Sequence, residues 1–240
     1  VKRPIPILAL DVPDAAGAFR LLERVGPGAD FVKVGLQLFT AEGPAVVRRL
    51  RAEGRRVFLD LKLHDIPNTV AQAVRAAAAL EVELLTVHAS GGAAMLRAAA
   101  DAAAGSGTRL LGVTVLTSLS APELAAAWGR AELSAEAEVV RLAGLAAECG
   151  IDGVVASVQE VAAIRASAGD DLLVLTPGIR LAGDAAGDQA RVATPAEAAR
   201  LGADYLVLGR SVTAAADPAA ALAAVLDDLD SAFAAEGSFA

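Results

Sequence analysis

The sequence predicts an α/β protein built as a single (β/α)₈ barrel, and three observations point there. Short apolar runs alternate with longer Ala-rich amphipathic runs through eight cycles. Hydrophobic residues form 55% of the chain but aromatics only 3%, so the core must be assembled from Val, Leu, Ile and Ala, as in a parallel sheet covered by helices. No glycine-rich dinucleotide fingerprint follows the first strand, which ends at Asp11-Val12-Pro13, and this disfavours an open doubly wound sheet. The chain has 240 residues and neither a linker nor a shift in composition, so one domain over 1–240 is expected.

Strands are expected at about 5–11, 30–35, 56–62, 83–89, 109–117, 152–157, 171–176 and 204–209. Each is short, rich in Val, Leu or Ile, and followed by loop residues. Helical patterns occupy about 14–25, 37–53, 68–80, 92–104, 134–149, 158–168, 195–201 and 217–235. Asp14, Asn68, Ser134, Thr194-Pro195 and Asp217-Pro218 supply caps or first-turn prolines. Residues 121–137 exceed a usual βα loop and are expected to carry a short extra helix. Eight strand–helix units in one register favour closure into a barrel, whose chemistry sits at the carboxyl ends of the strands.

Charge and cysteine content exclude several classes. A formal net charge of −8 disfavours non-specific nucleic-acid binding, which needs clustered Lys and Arg against phosphates. An anionic small molecule stays possible if a few cations are placed locally. No run of about 18 uncharged apolar residues offers a membrane span. The opening Val1-Lys2-Arg3-Pro4 runs straight into an apolar strand without the layout of a signal peptide. Cys149 is the sole cysteine, so no internal disulfide forms, and a reducing cytoplasm is expected.

The most informative stretch is Asp60-Leu61-Lys62-Leu63-His64-Asp65-Ile66-Pro67-Asn68-Thr69. Side chains alternate along a strand, so Asp60 and Lys62 should share the inward face, with Leu59, Leu61 and Leu63 on the other. The two charges fall at the carboxyl end of strand three. Asp11 ends strand one, and Lys33 lies in strand two within Phe31-Val32-Lys33-Val34-Gly35. These strands are neighbours, so Asp11, Lys33, Asp60 and Lys62 should converge at one mouth. A purely structural role is a poor explanation: desolvating each ion costs several kcal/mol, and Val or Leu would serve stability more simply. Alternating charges at a barrel mouth suggest electrostatics directed at a ligand.

Asp60-x-Lys62-x-x-Asp65, followed by Asn68-Thr69, resembles the signature of the orotidine monophosphate decarboxylases. Ala9-Leu10-Asp11, Val32-Lys33-Val34-Gly35 and Gly209-Arg210-Ser211 match the same family, so the resemblance covers nearly the whole chain. It implies a barrel enzyme that converts orotidine 5′-monophosphate to uridine 5′-monophosphate and carbon dioxide, without metal or organic cofactor. It further implies Lys62 as proton donor to C6, Asp60 against the substrate carboxylate, Lys33 in the same network and Asp11 on the ribose. Asp65 is then a catalytic residue and Ile66 a substrate contact, and Asp65 and Thr69 reach the active site of a neighbouring subunit, which makes the protein an obligate homodimer with shared sites.

A nucleoside monophosphate also needs a dianion site, which barrels commonly build after strands seven and eight. Strand seven ends in Thr176-Pro177-Gly178-Ile179-Arg180 and strand eight in Leu208-Gly209-Arg210-Ser211. The resemblance gives Gly209 and Arg210 to the phosphate and Pro177 and Arg180 to ligand contact. It makes the polar loop 181–193 a lid, with Gln189 bridging toward the substrate. After strand five, Thr117 is the matching contact to the pyrimidine, with Ser118 and Ser120 as alternatives.

Other polar residues carry less. His88 reads as a structural hydrogen-bonding residue and His64 as structural support or a dimer contact. Two histidines far apart without a carboxylate cluster make a zinc site a poor expectation. Cys149, before Gly150, reads as packing. Three rivals differ in testable ways. A magnesium-dependent sugar-phosphate decarboxylase of the same superfamily resembles the Asp-x-Lys-x-x-Asp pattern, but it carries a metal-binding Glu where Lys33 stands. A Schiff-base aldolase needs an uncharged lysine, whereas Asp60 and Asp65 flank Lys62. A non-catalytic barrel would bind nucleotide and release no carbon dioxide.

Overall fold

The computed structural model describes residues 2–130, 133–181 and 192–234. Eight strands close into a barrel in sequence order: β1 Ile5–Ala9, β2 Phe31–Gly35, β3 Arg56–Leu63, β4 Leu84–His88, β5 Arg109–Val113, β6 Gly153–Val155, β7 Leu173–Thr176 and β8 Tyr205–Leu208. Every pairing is parallel, and β8 returns to β1 with Ile5 opposite Tyr205. The helices alternate with them: α1 Ala15–Val25, α2 Leu36–Glu42, α3 Pro44–Ala52, α4 Pro67–Ala78, α5 Gly92–Ala103, α6 Ala121–Trp128, α7 Ala135–Glu148, α8 Val161–Ala168, α9 Pro195–Arg200, α10 Arg210–Thr213 and α11 Pro218–Ala234. The predicted (β/α)₈ barrel is the observed architecture.

Two layers of core explain why the strands read as continuous apolar runs. Ile7, Phe31, Phe58, Leu84, Leu111 and Leu175 fill the barrel interior. Their neighbours in sequence, including Leu8, Val32, Leu59, Leu85, Leu110 and Val174, face outward onto the helices. Each strand is therefore buried on both sides. The amino-terminal end of the barrel holds an ion network: the Arg56 and Arg109 guanidiniums donate to Glu83, and Arg109 also donates to the Tyr205 hydroxyl at 2.6 Å. Above the apolar floor lies a polar mouth lined by Asp11, Lys33, Asp60 and Lys62.

Several boundaries differ from the sequence reading for local reasons. The predicted helix over 37–53 is two helices, because Gly43 takes φ +62° and Pro44 restarts the chain as α3. Asn68 is no cap: Pro67 opens α4 and Ile66 occupies the cap position without a side-chain bond. Asp14, Ser134, Thr194 and Asp217 do accept from backbone N–H groups of their helices. The extra helix expected within 121–137 is α6, capped reciprocally by Ser120 and Glu123.

Candidate active site

The carboxyl ends of the strands surround a cavity of about 490 Å³. Four charged side chains form one of its walls. Lys33 Nζ lies 2.8 Å from Asp11 Oδ1 and 3.6 Å from Asp60 Oδ2. Lys62 Nζ lies 2.7 Å from Asp60 Oδ1. The result is one continuous line, Asp11–Lys33–Asp60–Lys62, from three neighbouring strands, as the alternation argument expected. Lys33 and Asp60 are the buried centre, whereas the Asp11 side chain is 60% exposed. Gly35 makes room for this packing: a Cβ there would lie 2.9 Å from Lys33 Nζ and 3.3 Å from Asp11 Oδ1.

Electrostatics hold the central carboxylate ionised. Burial alone would raise the Asp60 pKa, but the Lys62 and Lys33 ammoniums and the bonds from Lys62 and Thr86 outweigh it, so the carboxyl sits below its ordinary range. Thr86 was not singled out by the sequence. It is fully buried on β4, donates to Asp60 Oδ1 at 3.0 Å, and accepts from the Lys62 N–H at 2.9 Å.

The strand carrying Asp60 and Lys62 does not alternate ideally. Leu59 pairs with Leu85, but the next β3–β4 partners are Leu63 and Val87, so four steps along β3 span two along β4. Lys62 sits in this irregularity with φ +51°. Its side chain still meets Asp60, and Leu61 and Leu63 are only half-buried.

The opposite wall is built by the later strands. Thr117 and Ser118 line the cavity after β5, whereas Ser120 is committed to capping α6 through Glu123 at 2.6 Å. Pro177, Gly178 and Arg180 line it after β7, and Gly209 and Arg210 after β8. Arg180 is buried and donates to the Ile179 carbonyl at 2.9 Å. The chain departs past Arg180 and returns at Ala193, whose carbonyl accepts the Arg180 N–H at 3.0 Å. Gln189 and most of the loop 181–193 lie outside the described residues.

Three expected site residues are not in this cavity. Asp65, Ile66 and Thr69 are exposed beyond the end of β3, with Ile66 67% accessible. Asp65 Oδ1 accepts from the Ile66 N–H. His88 and His64 pack ring to ring at 5.2 Å and do not line the cavity. Burial, together with the charges of His64 and Lys62, lowers the His88 pKa. Cys149 is buried in the outer core. Among the described residues there is no group of three or more His, Cys, Asp or Glu placed to hold a metal ion, and no helix long and apolar enough to cross a membrane.

An apolar-floored cavity at the carboxyl ends of a closed parallel barrel, walled by alternating carboxylates and ammoniums, defines a TIM-type barrel with a charged ligand site at the end where such folds carry their chemistry. The chain belongs to the orotidine 5′-phosphate decarboxylase / HUMPS family, whose model matches residues 4–225. It is 52% identical over 231 residues to orotidine 5′-phosphate decarboxylase of Moorella thermoacetica, covering 93% of this chain and 91% of that one. It is 58% identical over 217 residues to the orotidine 5′-phosphate decarboxylase of Anaeromyxobacter dehalogenans, covering 90% and 94%. The crystal structure of orotidine 5′-phosphate decarboxylase from Lactobacillus acidophilus superposes with a TM-score of 0.83 at 38% identity, over 95% of this chain and all of that one.

Proposed function

We propose that this protein, as one barrel domain over 1–240, decarboxylates orotidine 5′-monophosphate to uridine 5′-monophosphate in de novo pyrimidine biosynthesis, with Lys62 as proton donor and without metal or organic cofactor. The observation that carries the reading is the unbroken Asp11–Lys33–Asp60–Lys62 line beside a cavity of nucleotide size. Family membership and the similarity to the named decarboxylases support it.

In the reaction the bond from C6 to the carboxylate carbon breaks and its electron pair stays on C6. Carbon dioxide leaves, the Lys62 ammonium gives a proton to C6, and the amine regains one from solvent. The ring cannot delocalise the C6 charge well, so the site must stabilise it. One ammonium about 4 Å away contributes roughly 4 kcal/mol at an effective dielectric near 20. Demanding reactions need reductions of about 8–23 kcal/mol, so preorganisation of the line and binding energy at the phosphate supply most of the rest. Asp60 stands against the substrate carboxylate and Lys33 fixes Asp60. Asp11 takes a ribose hydroxyl.

Thr117 meets the pyrimidine, Pro177 and Arg180 contact the ligand, and Gly209 with Arg210 receives the phosphate, all assigned by resemblance. Gln189 joins them on the same basis. Asp65 and Thr69 complete the site of a second copy in a homodimer, and Ile66 beside them contacts substrate. Their exposure outside their own cavity supports this, as does Leu36, 56% exposed after the adjacent strand β2. The buried free Cys149 is consistent with a cytoplasmic enzyme. Lys33, where a magnesium-dependent relative carries its ligand, would repel a divalent cation.

The test is direct. Purified protein incubated with orotidine 5′-monophosphate and EDTA should lose the absorbance of the orotate ring as carbon dioxide is released. No absorbance change, or activity that EDTA abolishes and magnesium restores, would contradict the proposal.

A further inference from the structure

We propose that Thr86 is a positioning residue for the decarboxylation, acting through Lys62 and Asp60. The inference rests on the reading of Lys62 as proton donor. Three features of one small region carry it. Lys62 has φ +51°, a backbone conformation shared among described non-glycine residues only by Glu81. Such a conformation is costly for a residue with a Cβ and persists only where its surroundings impose it. It falls where β3 and β4 lose their regular pairing, between Leu59 and Leu63. The Lys62 N–H is received there at 2.9 Å by the Thr86 hydroxyl.

The same hydroxyl donates to Asp60 Oδ1 at 3.0 Å, and that oxygen also accepts from Lys62 Nζ at 2.7 Å. A hydroxyl has one proton and two acceptor lone pairs, so accepting from one partner and donating to the other fixes its orientation. Thr86 therefore ties both ends of Lys62, its backbone directly and its ammonium through Asp60. Thr86 is fully buried and does not line the cavity, so it acts without touching substrate. A valine has the same shape and neither bond. A serine keeps both.

The experiment measures kcat and KM for orotidine 5′-monophosphate in Thr86→Val, Thr86→Ser, Lys62→Ala and the Thr86→Val/Lys62→Ala pair, with folding checked by circular dichroism. Misplacement of a reacting group by about 1 Å costs on the order of 100-fold, so Thr86→Val should lower kcat by about 10–100-fold while KM moves less than about threefold. Thr86→Ser should return kcat to within about threefold of the parent, and Thr86→Val should cost less than about threefold once Lys62 is already gone, because coupled groups are not additive. If Thr86→Val does not fold, Thr86→Ala read against Thr86→Ser isolates the same hydroxyl. Parent-like kcat in the variant lacking the hydroxyl, a serine variant as damaged as the valine, or an undiminished loss in the Lys62→Ala background would each overturn the inference. Near-parent turnover by Lys62→Ala would instead remove the proton-donor reading on which it stands.

Discussion

Replacing Lys33 with methionine separates what the charged line does for stability from what it does for catalysis. Lys33 Nζ is 3.6 Å from Asp60 Oδ2, and both side chains are nearly buried, at 10% and 12% exposure. At an effective dielectric near 20 that separation corresponds to roughly 4–5 kcal/mol of attraction, partly offset by the cost of desolvating the ammonium. Removing one partner of a buried pair costs about 3–5 kcal/mol, because the remaining charge is left uncompensated. Asp60 keeps Lys62 at 2.7 Å, and Asp11 is well solvated, so the low end applies. About 3 kcal/mol in a domain of this size lowers Tm by roughly 6–12 °C. Adding Asp60→Asn removes the stranded charge, so the Lys33→Met/Asp60→Asn pair should melt above Lys33→Met while both stay inactive. Thermal unfolding followed by circular dichroism at neutral pH, without ligand, reads this out alongside turnover. A Lys33→Met protein that melts with the parent, or a double variant less stable than the single, would refute the idea of Asp60 as a buried charge held by two cations.

Arg210→Ala should raise KM by about 10-fold or more through loss of a charge-assisted phosphate bond, measured by initial rates over a substrate series. Parent-like KM would take Arg210 off the phosphate. Mixing inactive Lys62→Ala and Asp65→Ala chains should regenerate one intact site per heterodimer and restore up to about a quarter of parent activity if chains exchange freely. No recovery in heterodimers verified by mass spectrometry would remove the shared site. Stability should fall as pH drops below 6.5, the ordinary histidine value, because His88 is held below it in the folded chain while the unfolded chain takes up the proton first. His88→Gln should flatten that decline in pH-dependent denaturation, and an unchanged slope would contradict it.

Much of the site is legible in sequence because charged residues inside apolar strands have few places to go. Asp11, Lys33, Asp60 and Lys62 stand out against Val and Leu, and parallel pairing of adjacent strands brings them together. Strand ends are less legible. The expected strand over 109–117 stops at Val113 because β6 is only three residues long and its last partner is Val155. Thr114 and Val115 stay buried and are both β-branched, so the sequence gives no sign of the ending. The β3 irregularity is hidden for another reason. Alternation assumes a regular ladder, and Lys62 turns left-handed where its N–H meets a hydroxyl from a different strand. Thr86 offered one signal, a polar residue amid Leu84-Leu85 and Val87, but its partners emerge only once the β3–β4 register is known. Among the hydroxyls after β5, the Ser120–Glu123 spacing of a capping box could have marked Ser120 as structural, leaving Thr117 and Ser118 at the cavity.

The proton-donor role of Lys62 is tested most directly by Lys62→Ala under single-turnover conditions, with protein in excess over orotidine 5′-monophosphate and carbon dioxide release followed in time. The variant should fold and still bind nucleotide, while the rate constant drops by at least about 100–10,000-fold, the usual contribution of a positioned acid. A folded Lys62→Ala protein releasing carbon dioxide within about tenfold of the parent rate would contradict it, because the site would then be working without the group assigned to deliver the proton.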